Sequence, residues 1–384
     1  MSDLTGALWL APGRAMPHVL RSSRRAWAAR VAPGQPAQRL PELLSGLYSL
    51  CGEAHRMASR LALQAADPGL FPGRVDVAAA LQRETALEHV RRMALDWPRL
   101  IETPLTRVAL SAAAITSLRA CPLIARPMDT NPWSAMRQWL QEDVLQMAPA
   151  TWLRAWQACG ADWLDDWSRR HTAWLPCLIQ AALAADLALP EARELTLRPQ
   201  AHAGQWRALG QAVGEHEAFT LRPSWQGQPA CTGTWSRHHL GEPAQPWTTW
   251  SLLGSRLAEL VRLCLPDAPG EAGAGWLSWG ALNMGPRQGL AWVEMARGLL
   301  IHRVTLDTPV AGQPVRLQSC QVLAPTEWNF HPQGLVAQVL ARLPVDAPDL
   351  TARVNLLMAA FDPCVPFHID ARIGHDSGME TTHA

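Results

Sequence analysis

The sequence predicts an α+β fold, mainly helical, with a small C-terminal β-hairpin or sheet. Three observations carry this expectation. Apolar residues recur at three- and four-residue spacing through the middle of the chain, the period changes after a Pro- and Gly-rich connection at 266–275, and a turn ending in Gly298 separates two later apolar runs. With 384 residues, 48% of them hydrophobic, the chain can bury a large core.

The elements follow in order. The first 40 residues are rich in Pro and Gly and leave room for short strands. Pro41 then opens a periodic stretch to about Leu63, in which Leu43, Leu44, Leu47, Leu50, Cys51, Ala54, Met57 and Ala58 would share one buried helical face. Further helices are expected at 75–96, 133–147, 151–171, 178–188 and 248–264, whereas 189–246 shows no clear period. Gly289 to Met295 and Leu299 to Leu306 flank Ala296-Arg297-Gly298 as a hairpin, and Val315 to Leu323 reads as a third strand. Two short helices are expected at 333–342 and 348–360. Proline disfavours helical geometry in the residue before it, so Asp362-Pro363 places Cys364 just past a helix end. A single domain over 1–370 and a polar tail over 371–384 complete the expected organisation.

Composition removes several function classes. The 34 basic residues, all Arg, balance 33 acidic ones, so no whole-chain field draws nucleic acid or an anionic membrane. No run approaches the roughly 20 apolar residues that cross a bilayer. The 19 Trp residues are spread from Trp9 to Trp328 and read as core filler rather than a binding platform. Eight well-separated cysteines without a C-x-x-C pair fit a reducing compartment. Arg24-Arg25 is followed by too short an apolar stretch to be an export signal, and the expectation is a cytoplasmic protein.

Two Cys/His clusters carry the candidate chemistry. Cys51 and His55 are four apart on an expected helix, which would stack an imidazole beside a sulfur. Cys364 and His368 form the second pair, more than 300 residues away. Neither completes a zinc site alone, although both together would offer two sulfurs and two imidazoles. Pro286-Arg287-Gln288-Gly289, just before the hairpin, would hold a guanidinium suited to a small anionic acceptor. Pro325-Thr326-Glu327-Trp328-Asn329 lies just after the third strand. Each has an ordinary reading as well: a buried Cys, a satisfied His, a surface turn.

Taken in order, these four segments resemble the nickel-iron hydrogenase large subunit, strongly over 276–370 and clearly near 43–60. That family has a C-x-x-C followed four residues later by His, a Pro-Arg-Gly turn, a Pro-Thr-x-Trp-Asn stretch and a final Asp-Pro-Cys-x-x-Cys-x-x-His. Its four thiolates hold nickel, and the second Cys of each pair bridges to an iron carrying cyanide and carbonyl. In this chain the positions that differ are Tyr48, Phe367 and Asp370, so two of the four sulfurs are missing and nickel is not expected. Cys51 stands at a bridging position, and the resemblance gives Arg287 the role of contacting a cyanide, with His55 and His368 as assisting groups.

This partial loss is similar to the HupK/HoxV family of hydrogenase maturation proteins. The resemblance implies a non-enzymatic scaffold that transiently holds the iron dicyanide carbonyl unit at Cys51 and Cys364. It would receive that unit from HypC-type carrier chaperones and pass it to the hydrogenase large-subunit precursor. Two other readings stay open: a divergent metal-binding hydrogenase-like enzyme, and a metal-free protein that binds the maturation chaperones. The same resemblance leads us to expect that the tail is not cleaved.

Overall fold

The computed structural model describes residues 6–73, 75–101, 107–125, 131–191, 203–215, 217–237, 246–268 and 272–370. The tail expected at 371–384 lies outside these. At the centre is the Thr249–Cys264 helix, buried along its whole length. It packs against the Val77–Arg91, Pro149–Arg170 and Leu350–Phe361 helices. Its start is a reciprocal cap: Thr248 Oγ1 accepts the Ser251 N–H at 3.1 Å, and Ser251 Oγ accepts the Thr248 N–H at 2.8 Å.

Beside this helical body lies an antiparallel sheet in the order β3 (Trp279–Gly285), β4 (Gln288–Met295), β5 (Gly298–Leu306), β6 (Leu317–Leu323). The hairpin and the strand after it match the sequence expectation, and β3 is added. β4 is covered on both faces, so it reads as a continuous apolar run rather than an alternating one. One face carries the Gly52–Ala66 helix, and on the other Trp292 stacks on Trp206 at 4.0 Å. A second sheet joins the ends of the chain. β1 (Leu8–Leu10) pairs antiparallel with β2 (Leu20–Ser22) and parallel with β7 (Phe367–Ile369), in the register Leu8↔Phe367, Trp9↔His368 and Leu10↔Ile369.

One expected helix is two. The periodic stretch from Pro41 to Leu63 breaks into Leu40–Leu47 and Gly52–Ala66, joined by a tight turn at Ser49–Cys51. Cys51 has φ −138° and ψ 42°, so it precedes the second helix instead of stacking with His55 along one face. The apolar spacing runs unchanged through the turn, which hid the break. Gly52 permits it, because a Cβ there would lie 2.8 Å from Ser45 Oγ and 2.9 Å from Ser45 O.

Candidate functional site

Cys51 stands at the start of the Gly52–Ala66 helix, where the Glu84 carboxylate accepts the Glu53 and Ala54 N–H groups at 2.7 Å each. These bonds satisfy two donors that a helix start leaves free, and they anchor the backbone beside the thiol. Burial pushes the Cys51 thiol up, the Arg297 charge opposes this, and Cys364 adds to the rise.

Cys364 reaches the same place from the other end of the chain. The Leu350–Phe361 helix ends at Asp362 in the left-handed region, φ 49°, and Pro363 prevents its continuation. The Cys364 sulfur accepts Arg24 Nη1–H at 3.0 Å and lies 3.1 Å from Thr326 Oγ1. Arg24 Nε donates to Glu327 at 2.8 and 3.1 Å, within the Pro325–Asn329 helix that follows β6. In the same short helix, Asn329 exchanges two hydrogen bonds with the Thr232 backbone at 2.9 and 2.8 Å. The Pro-Thr-x-Trp-Asn stretch thus supplies one residue to the sulfur and another to the scaffold.

Both thiols line one cavity of about 900 Å³. At its base is Arg297, from the β4–β5 turn, with a side chain 1% exposed. Arg297 Nη2 donates to Glu88 at 3.2 Å, and its Nε faces Asp362 at 3.3 Å. Burial disfavours its charge, but Asp362, Cys51 and Glu88 outweigh that and hold it protonated. Its Nη1 is buried with no hydrogen-bond partner among the described residues. A buried guanidinium N–H without a partner, on a residue that lines the cavity, is a candidate donor to an acceptor held there.

One wall is aromatic and neutral. Tyr48 stacks on His55 at 4.1 Å, and His55 Nδ1 is 3.0 Å from His302 Nε2. Burial drives His302 down to about 3 and His55 well below its ordinary value, the latter helped by His302 and Arg24. Both imidazoles are neutral in the fold. Their folded pKa values lie below the unfolded ones, so the stability this arrangement contributes is present above about pH 6.5 and is lost as pH falls toward 3. The expected slope is about 1.4 kcal/mol per pH unit for each imidazole. Urea midpoints between pH 7 and 4 check it: His302→Gln should remove about half of the slope that this pair produces. An unchanged slope would mean that other groups set the acid limit.

Among the described residues, no three His, Cys, Asp or Glu side chains form a group able to hold a metal ion. The pocket therefore offers two thiols and hydrogen-bond donors, not a zinc-type ligand set. No helix among these residues is long and apolar enough to cross a membrane.

Comparison with known proteins gives the context. No protein-family model matches the chain. The hydrogenase expression/formation protein HoxV of Cupriavidus necator is 38% identical over 99% of this chain and 98% of its own length. The chain belongs to the HoxV/HupK family of hydrogenase expression/formation proteins. HupK of Bradyrhizobium diazoefficiens is 29% identical over 97% of each chain. Among solved structures, the nickel-iron-selenium hydrogenase of D. vulgaris Hildenborough matches with a TM-score of 0.52 at 14% identity, covering 90% of this chain and 92% of the other. The family fold is thus that of the hydrogenase large subunit.

Within this HoxV/HupK chain the expected site residues separate. Cys51, His55 and Cys364 line the cavity, and Arg287 and His368 do not. Arg287 sits in the β3–β4 turn with φ 60°, facing Asp67 Oδ2 at 3.7 Å. The glycine after it has a packing role, since a Cβ on Gly289 would run into the Ala62 carbonyl oxygen where the Gly52–Ala66 helix crosses β4. The guanidinium in the cavity is that of Arg297. Ala296-Arg297-Gly298 has Arg directly followed by Gly, as in the family turn, whereas Arg287 and Gly289 are separated by Gln288. That contiguity was the available signal. His368 is exposed on β7 and lies against Trp9, ring centroids 5.7 Å apart. Pairing with β1 turns it away from Cys364. Arg24 had no signal, because its partners are 303 and 340 residues away.

Proposed function

We propose that this protein takes part in hydrogenase maturation as a non-catalytic scaffold, transiently holding an iron dicyanide carbonyl unit as cargo. Cys51 is the principal sulfur donor. Arg297 Nη1–H donates to a cyanide nitrogen, and the Tyr48–His55 wall limits access of water. The unit comes from HypC-type carrier chaperones in the cytoplasm and leaves for the large-subunit precursor.

The observation that carries this reading is the convergence on a single cavity of two thiols and a buried guanidinium whose Nη1 has no hydrogen-bond partner among the described residues. An iron already bearing three strong diatomic ligands needs few protein donors, and cyanide is a good hydrogen-bond acceptor for a guanidinium. The donor set suits such a unit better than a bare nickel ion, for which four thiolates are wanted.

Infrared spectroscopy on protein produced together with the maturation machinery tests it. The expected spectrum contains bound cyanide and carbonyl bands, with about one iron per chain and no nickel. Stoichiometric nickel with hydrogen-dependent dye reduction would establish the enzyme reading instead. A spectrum without these bands would leave the metal-free interaction protein.

A further inference from the structure

The Cys364 sulfur sits between a guanidinium and a hydroxyl. Arg24 Nη1 donates to it at 3.0 Å, and Thr326 Oγ1 lies 3.1 Å away. Arg24 has little freedom to turn aside, because its Nε donates to both Glu327 oxygens and the two side chains are only 13% and 8% exposed. Burial opposes the Arg24 charge, but Cys364 and Glu327 outweigh it and keep the guanidinium protonated. Cys364 itself is half-buried and lines the large cavity. Arg297, whose buried Nη1 has no hydrogen-bond partner among the described residues, lines the same space.

The thiolate is the form of cysteine that attacks, and fixed donors beside it hold both its charge and the charge that develops on a departing oxygen. A hydroperoxide is the electrophile that suits this arrangement. It is small, its oxygens accept hydrogen bonds, and breaking its O–O bond puts negative charge on an oxygen, for which Arg24, Thr326 and Arg297 offer N–H and O–H groups. Cys51 has no such setting, since burial pushes its thiol up more than Arg297 pulls it down.

We propose that Cys364 is an oxidation site for hydrogen peroxide and small hydroperoxides, activated by Arg24. The sulfur attacks one peroxide oxygen, so that an S–O bond forms as the O–O bond breaks. Sulfur gives up two electrons and becomes a sulfenic acid, and the second oxygen leaves as hydroxide, which takes up the proton lost by the thiol and departs as water. The step needs no metal and does not rest on the reading of the cavity as a cargo site.

The test follows oxidation of the reduced full-length protein by hydrogen peroxide, with dimedone trapping the sulfenic acid and peptide mass spectrometry locating it. All proteins carry Cys51→Ala, so that no second cavity thiol consumes the product, and Cys159→Ser, which removes an exposed thiol. Cys177, also half-buried, is the internal reference. Cys364 should be labelled at least about 10-fold faster than Cys177. Arg24→Gln should slow its labelling about 10- to 100-fold, the range for losing a hydrogen bond to a charged group, and Arg24→Lys should lie between. Arg24→Gln/Glu327→Gln, which leaves no buried carboxylate without its counter-charge, should be as slow as Arg24→Gln. Labelling of Cys364 no faster than that of Cys177, or at the parent's rate in the double variant folded by circular dichroism, overturns the proposal.

Discussion

Cys51→Ala is expected to give a folded protein that retains none of the iron unit, seen as loss of both cyanide and carbonyl bands. The thiol is 7% exposed and packs in the main apolar cluster, where free Cys behaves as a small hydrophobe. Removing one sulfur there costs about 1 kcal/mol. The backbone bond from Cys51 N–H to Tyr48 O, 3.0 Å, does not depend on the side chain. The turn therefore survives while the soft donor is gone. Cys364→Ala should reduce retention less, because that sulfur is already engaged by Arg24 and Thr326. Arg287→Lys, outside the cavity, should change nothing and serves as the control. Unchanged bands in Cys51→Ala would remove Cys51 from the site.

Asp362→Asn should be the most destabilising of these substitutions, by about 3–5 kcal/mol, the range for breaking a buried ion pair from one side. The Asp362 carboxylate faces three guanidinia: Arg92 Nε at 2.9 Å, Arg297 Nε at 3.3 Å and Arg256 Nη1 at 3.4 Å. Its side chain is 4% exposed. Burial alone would push this carboxyl up, but Arg297, Arg92 and Arg256 outweigh it and hold the group below its ordinary value. Asn tolerates the left-handed conformation found here, so the change isolates the charge from the backbone. Three guanidinia would lose a shared counter-charge at the point that aims Cys364. Urea denaturation of the two proteins measures the loss. A difference below about 1 kcal/mol would mean that Glu88 and Glu259 suffice as counter-charges.

The chemistry of the site was only partly legible in the chain. The position of Cys364 follows from a local signal, and so does the end of the last long helix, because Pro363 acts on its immediate neighbour whatever surrounds it, whereas the turn that sets Cys51 before its helix had none. The Pro-Thr-x-Trp-Asn stretch was also visible, although its division of labour between Thr326, Glu327 and Asn329 was not. Two nearby turns carry Arg, and only the folded chain shows that Arg297 lines the cavity while Arg287 lies outside it.

The sequence by itself determined most of the helical body, though not the Arg107–Ala120 and Ala203–Glu215 helices, together with the hairpin and the order of the candidate segments. These depend on hydrophobic period and on Pro and Gly geometry, which act over a few residues. Tertiary structure decided the break before Cys51, which a close approach to Ser45 requires at Gly52. It also decided the outward turn of His368, through its pairing with the first strand. The Arg24–Glu327–Cys364 cluster was decided in the same way. The last two join residues hundreds of positions apart, and an Arg in a sequence carries no mark of which buried acid or sulfur it will meet. Only packing of the two ends of the chain against each other fixes that.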